Sequence, residues 1–302
     1  MTYPRDMTGY GPTPPDPHWP GNANIAVQFV INYEEGGENS ILHGDAGSET
    51  FLSEMVGAQS QIGMRAMAME SLYEYGSRAG FWRLHRVFTE RQAPVTVYGV
   101  AMALARNPAA VEAMQTADWE IASHGLRWID YQHIPEDIER RHIAEAIDLH
   151  RQLTGKRPLG WYQGRTSPNT ARLIVEEGGF VYDADSYADD LPYYDTRFGK
   201  PQLIVPYTLD VNDMKFVALN GFDDGVSFFR YLRDTFDQLY LEGGNGRKAM
   251  MSIGLHGRIA GKPARAAAVA RFLDHVQNHD KVWIAKRIDI ACHWLKVHPY
   301  AK

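Results

Sequence analysis

The sequence predicts an α/β fold, a (β/α) barrel of seven or eight units, and three observations carry that reading. Short apolar runs alternate with amphipathic segments of helical length, the pattern left by parallel strands covered on both faces. The helical segments carry start and stop signals: Pro135, Pro168 and Pro263 suit first turns, and Gly155 and Gly178 suit helix ends. Residues able to do chemistry follow the strands, as in barrels whose sites sit at the C-terminal strand ends.

The elements follow in order. Residues 1–23, "MTYPRDMTGYGPTPPDPHWPGNA", combine Pro, Gly and aromatic side chains and read as an extended arm, too apolar for a solvated tail. It lies either on its own barrel or against a neighbouring subunit. Residues 24–302 form one catalytic barrel. Strands are expected at 25–31, 95–100, 120–123, 159–163, 180–183, 203–206, 250–255 and 282–285, and helices at 81–91, 135–154, 168–177, 225–242, 263–278 and 289–297. There is no internal repeat.

Composition excludes several classes. With 302 residues, 44% hydrophobic and 23% charged, the chain is an ordinary globular one with length enough for a large core. The net charge of −6 leaves no basic footprint for nucleic acid. No apolar run reaches the roughly 18 residues needed to span a bilayer. The N-terminus lacks the apolar core of a signal peptide, so a soluble cytoplasmic protein is expected. The single cysteine, Cys292, excludes an intrachain disulfide and a Cys-rich zinc site.

Five strand ends supply candidate site residues. The first strand ends in Asn32-Tyr33-Glu34-Glu35-Gly36, the third in His124, the fourth runs into Arg165, the fifth ends in Asp183 and Asp185, and the seventh ends in His256. Two carboxylates side by side repel, so one is expected to hold its proton more tightly than usual and to serve as a general base. Two imidazoles on the same face suit acid/base hydrolysis. Arg165 is either a surface charge or the partner that keeps a glutamate ionised. Tyr33, Trp128 and Asp185 are candidate pocket residues. A carboxylate with one histidine is too small a ligand set for zinc: residue 128 is Trp, while His142 and His150 fall on a helix away from the strand ends.

In order, these motifs resemble those of the polysaccharide deacetylase (NodB-like) family over roughly residues 24–290. The resemblance implies that family's distorted (β/α)7–8 barrel. Asn32-Tyr33-Glu34-Glu35-Gly36 stands where the family has Thr-Phe-Asp-Asp-Gly, so Glu34 matches its general base and Glu35 its metal-binding carboxylate. In His124-Gly125-Leu126-Arg127-Trp128 the first metal histidine is kept and the second is Trp. Arg165-Thr166-Ser167-Pro168 matches the third motif loosely, and His256 matches the family's general acid. The strings "YPRDMTGYG", "NYEEGGENS", "DSYADDLPYY" and "HGRIAGKPAR" are similar to the metal-independent allantoinase branch.

That resemblance implies a cytoplasmic amidohydrolase that opens the hydantoin ring of (S)-allantoin to allantoate in purine degradation, with no metal or other cofactor. Its catalytic residues would be Glu34, Glu35, His124 and His256, and its substrate-binding residues Tyr33, Trp128, Arg165 and Asp185. The implied assembly is a homotetramer acting on a small cyclic ureide, without nucleic-acid or membrane partners. Three alternatives stand beside it: a metal-dependent polysaccharide or peptidoglycan deacetylase, a cyclic imide hydrolase, and a catalytically dead barrel used as a binding module.

Overall fold

Strand β1, Ile25–Tyr33, is buried along its whole length, and the rest of the fold is arranged about it. The computed structural model describes residues 4–219 and 221–301. After β1 come helix α1 (Met67–Tyr75), a single π turn at Gly76–Gly80 and α2 (Phe81–Glu90), then β2 (Val95–Gly99), α3 (Ala101–Arg106), α4 (Pro108–Thr116) and β3 (Glu120–Ser123). The middle of the chain forms α5 (Glu136–Thr154), β4 (Gly160–Trp161), α6 (Thr170–Glu177), β5 (Tyr182–Asp183), β6 (Tyr193–Asp195) and β7 (Gln202–Ile204). It closes with α7 (Gly225–Gly244), β8 (Ala249–His256), α8 (Pro263–Gln277), β9 (Val282–Ile284) and α9 (Arg287–Val297).

The strands form one curled sheet in the order β6-β7-β5-β4-β3-β2-β1-β8, with β9 also paired to β1. All neighbours are parallel except the antiparallel β6–β7 pair. This is the expected distorted barrel. Between its two ends the curl is bridged by side chains: Thr208 N–H donates to Ser252 Oγ and Ser252 N–H to Thr208 Oγ1, at 3.0 and 3.1 Å. The buried Arg287 at the start of α9 spans the interior, donating to Gln28 Oε1 at 2.9 Å and to the Pro206 carbonyl at 2.8 Å.

Parity along β1 decides what faces where. Side chains alternate across a strand. Ile25, Val27, Phe29, Ile31 and Tyr33 join the cluster built with α2, α7 and α8, whereas Ala26 and Val30 join the cluster inside the curl with Tyr98, Tyr162 and Tyr207. Each fully buried large apolar side chain contributes about 1.5–3 kcal/mol, so a one-residue slip of β1 would reverse both faces at prohibitive cost.

Local signals explain the helix ends. Asn107 caps α4 through its bond from Ala110 N–H, Asp224 and Ser227 form a capping box at α7, and Gly155 and Gly178 adopt left-handed conformations at the ends of α5 and α6. The strands expected at 159–163 and 180–183 are only two residues each, because backbone pairing there is confined to Gly160–Trp161 and Tyr182–Asp183. The sequence pattern does not signal strand β6, which lies in an acidic stretch, nor helices α1, α3 and α4.

The arm from Asp16 to Ala23 lies on its own barrel: Trp19 is buried against Trp283, His293 and Trp294, and its ring N–H donates to the Ala249 carbonyl at 3.1 Å. Residues 1–3 of the arm fall outside the described residues.

Candidate active site

The alternation of β1 carries past its end. Asn32 and Glu34 share the inward face with Val30, and both line a cleft of about 570 Å³ at the C-terminal mouth of the curl. Tyr33 and Glu35 point the other way. Tyr33, expected to wall the pocket, packs edge-on to Phe81 instead and bonds Ser77 Oγ at 2.8 Å. Glu35 stands behind the cleft, its carboxylate accepting the Glu34 and Arg258 backbone N–H groups, each at 3.2 Å. The π turn lets the α1–α2 helix close over it. A Cβ on Gly76 would sit 2.1 Å from Glu35 Oε1, so any larger residue there would displace the Glu35 carboxylate.

Glu34 is the centre of a buried charge cluster. Its Oε1 lies 3.2 Å from His124 Nε2 and 3.3 Å from His256 Nε2, and its Oε2 accepts from Arg258 Nη2 at 2.6 Å. On the far side of His256, Nδ1 is 2.6 Å from Asp213 Oδ1. Asp213 is itself fixed by the His256 and Ala260 backbone N–H groups, at 2.7 and 2.9 Å. Two carboxylates facing its two ring nitrogens require a proton on each, so His256 is an imidazolium. Glu34 and Asp213, overcoming the cost of burial, raise its pKa to about 9.

Burial acts against ionised Glu34, but Arg258 and His256 outweigh it and hold the carboxyl well below its usual range. Glu35 is pushed up by burial and by the neighbouring Glu34, against the pull of Arg258. The expected repulsion between the pair thus falls on Glu35, while the glutamate facing the cleft stays ionised.

His124, His256, Trp128 and Arg165 all line the cleft, with Phe51, Tyr162 and Tyr187. Arg165 does not reach Glu34, where sequence reasoning put a guanidinium. It pairs with buried Glu49 at 3.5 Å, over the rings of Phe51 and Trp128. Asp185 lies behind the lining and accepts the Gln163 and Gly164 backbone N–H groups; burial pushes its carboxyl up to about 6. Sequence reasoning missed Arg258 and Asp213. Arg258 follows His256 by two residues, in the turn just after β8, where strand alternation no longer applies. Asp213 sits in an irregular stretch with no signal linking it to the site.

A divalent cation does not fit this donor set. The second imidazole position is the indole of Trp128, whose ring centre is 5.2 Å from the Arg258 guanidinium. That guanidinium already occupies one oxygen of Glu34 and lies 3.5 Å from Glu35. Among the described residues, the His and carboxylate groups close enough to share a cation are Asp237, His275 and His279, at the α7–α8 contact rather than the strand ends.

The relatives of this chain make it a hydrolase of carbon–nitrogen bonds other than peptide bonds. The chain belongs to the polysaccharide deacetylase family: the family model described as Polysaccharide deacetylase matches residues 65–180, and a Schizosaccharomyces pombe protein named "Putative polysaccharide deacetylase" is 41% identical over 98% of both chains. Two solved structures superpose with a TM-score of 0.97. One, a "probable Polysaccharide deacetylase" from Pseudomonas aeruginosa PAO1, is 59% identical over 99% of this chain and 100% of its own. The other, "Puue Allantoinase", is 57% identical over 100% of both.

Proposed function

We propose that this protein is a cytoplasmic amidohydrolase that opens the ring of a cyclic ureide, (S)-allantoin to allantoate, without a metal. The observation that carries this reading is the Asp213–His256–Glu34–Arg258 chain, a fixed acid beside a fixed carboxylate at one end of a small cleft. A cleft of about 570 Å³ suits a small molecule, and the 57% identity to an allantoinase over the full chain supports the choice of substrate.

The reaction follows from the geometry. Water attacks the ring carbonyl whose nitrogen neighbour lies between two carbonyls. Glu34 Oε1 takes the water proton and His256 Nε2–H passes its proton to the departing ring nitrogen, so the C–N bond breaks and a carboxylic acid forms, which loses its proton to solvent as the carboxylate. Glu34 then returns its proton to His256, 3.3 Å away, and the pair is reset. Asp213 keeps the His256 ring oriented throughout. His124 holds the water against Glu34, and Arg165 sits in the cleft wall as a cation for the oxyanion. Acid and base steps of this kind are each worth about 10²–10⁴-fold.

A second reading, removal of an acetyl group from an amino sugar, has the support of the 59% identical structure. Assaying purified protein on (S)-allantoin for allantoate, and on N-acetylglucosamine oligomers for acetate, separates the two. Release of acetate without allantoate would overturn the ring-opening reading.

A further inference from the structure

Two polar side chains that line the cleft, Asn32 and His124, are each bound on one side only, and Asn32 is the one whose free atom is an amide oxygen. It is 1% exposed and lies on β1 directly opposite His256 of β8 in register. Its amide nitrogen donates to Tyr207 Oη at 3.1 Å and to the Leu255 carbonyl at 3.4 Å. Its Oδ1 accepts from nothing in the protein, although the residue lines the cleft beside Glu34 and His256. The Leu255 carbonyl favours this amide orientation: the flipped amide could accept from the Tyr207 hydroxyl only by setting Oδ1 against that carbonyl, acceptor to acceptor. A buried acceptor without a donor is unfavourable, and such a group in a cleft points to a ligand.

The surroundings are built to hold this arrangement. Tyr207 Oη also lies 3.4 Å from Asn212 Nδ2, so two amides converge on one hydroxyl. Their approach depends on Gly254, where a Cβ would fall 2.2 Å from both Asn212 Nδ2 and Tyr207 Oη. The neighbouring groups on the cleft side are the ionised Glu34 carboxylate, which accepts, and the His256 imidazolium, whose two N–H groups are already directed at Glu34 and Asp213.

We infer that Asn32 Oδ1 receives a ring N–H of the substrate, so that the site selects cyclic ureides whose ring nitrogen carries a hydrogen. The inference rests on the ring-opening reading and names the contact that would impose its specificity. A site that hydrogen-bonds a substrate N–H rejects the analogue lacking it, because the acceptor is then buried unpaired.

The test compares hydantoin, 1-methylhydantoin and 3-methylhydantoin on the wild type and on Asn32→Leu and Asn32→Ala, by turnover and by calorimetric binding. In the wild type, methylation of one ring nitrogen should cut kcat/KM by about 10–100-fold relative to methylation of the other. In whichever variant folds, unmodified hydantoin should fall to the level of the sensitive methyl analogue and the ratio collapse to within about threefold. The smaller Asn32→Ala side chain should also make room for the methyl group. Loss of the bonds to Tyr207 and Leu255 would lower all three substrates together and leave the ratio intact, so an unchanged ratio in a folded variant overturns the inference, as does wild-type indifference to methylation at both nitrogens. If the wild type binds hydantoin with this methyl sensitivity but does not hydrolyse it, the activity fails and the contact stands. No binding of any hydantoin overturns both.

Discussion

Replacing Arg258 with methionine removes the only guanidinium on Glu34 among the described residues, and the bonds that Arg258 makes set the size of the effect. Arg258 is 2% exposed. It supplies the 2.6 Å bond to Glu34, the 3.5 Å approach to Glu35 and a 3.1 Å bond from Nε to the Leu52 carbonyl, and it sits 4.3 Å from the Tyr73 ring centre. Methionine fills much of the volume but leaves two adjacent buried carboxylates with His256 as their only cation. Breaking one side of a buried ion pair costs about 3–5 kcal/mol. In the wild type, Glu34 has a depressed pKa, so its stabilising contribution is present above about 4.5 and is lost as pH falls through the folded value. In Arg258→Met the same burial has no opposing guanidinium, and the folded pKa of Glu34 rises above its unfolded one. The variant should therefore gain more stability than the wild type as pH falls from 7 to 5, by up to about 1.4 kcal/mol more per unit. Urea denaturation at pH 5, 6 and 7 reads this directly, and kcat should fall at least about 10²-fold. A variant within about 1 kcal/mol of wild type at pH 7, with a parallel stability–pH curve, would refute the role given to Arg258.

The other predictions are shorter. His256→Ala should lower kcat by about 10²–10⁴-fold and KM far less, since a proton donor acts in the transition state; a folded variant with near-normal turnover moves the acid elsewhere. With His256 raised to about 9, the rate should hold through neutral pH and fall near pH 9, and Asp213→Asn should bring that limb down in pH, a shift visible in kcat/KM profiles. The same raised pKa stabilises the fold fully below about 6.5, and the contribution is lost as pH rises through about 9. Prolonged EDTA treatment should leave turnover intact, and Trp128→His should not improve it; loss on chelation restored by zinc would sink the metal-free reading. Light scattering at micromolar concentration should give a homo-oligomeric mass, with tetramer expected, in keeping with exposed apolar side chains such as Leu42, Ile62 and Met64 in the segment between β1 and α1; a monomeric mass refutes it.

How much was legible follows from the range over which each signal acts. The barrel class could be read because buried parallel strands and capped helices are local patterns, and β1 and β8 are long apolar runs. The two-residue strands β4 and β5 were overdrawn because hydrophobicity continues beyond the point where backbone pairing stops. Glu34, His124 and His256 were legible as strand-end residues. Tyr33 and Glu35 were misplaced although the period-two rule was available: Asn32 and Glu34 share the parity of Val30, and the residues between them must face the helices. Arg258 and Asp213 were hidden for another reason. Their partners are 224 and 43 residues away in sequence, and no local pattern records a contact that only the closed sheet creates.

The identity of the cation in this site constrains what the site can catalyse. A divalent metal would touch both the water and the carbonyl, sharpening one and polarising the other. A guanidinium has only N–H groups to offer, and Arg258 directs two of its nitrogens at Glu34 and at the Leu52 carbonyl without itself lining the cleft. It can set the charge of the base without assisting the electrophile. Holding Glu34 ionised also makes it a weaker base, so the reaction must need little help in deprotonating water, and in the proposed mechanism polarisation of the carbonyl is left to Arg165 alone. An acetamide on a sugar, with its poorly stabilised leaving nitrogen, asks for both. A ring nitrogen flanked by two carbonyls leaves as a delocalised anion and needs chiefly a proton on arrival, which the His256 imidazolium carries. A buried arginine in place of a metal is thus a reason, on chemistry alone, to expect an activated cyclic amide in the cleft and not an N-acetyl sugar.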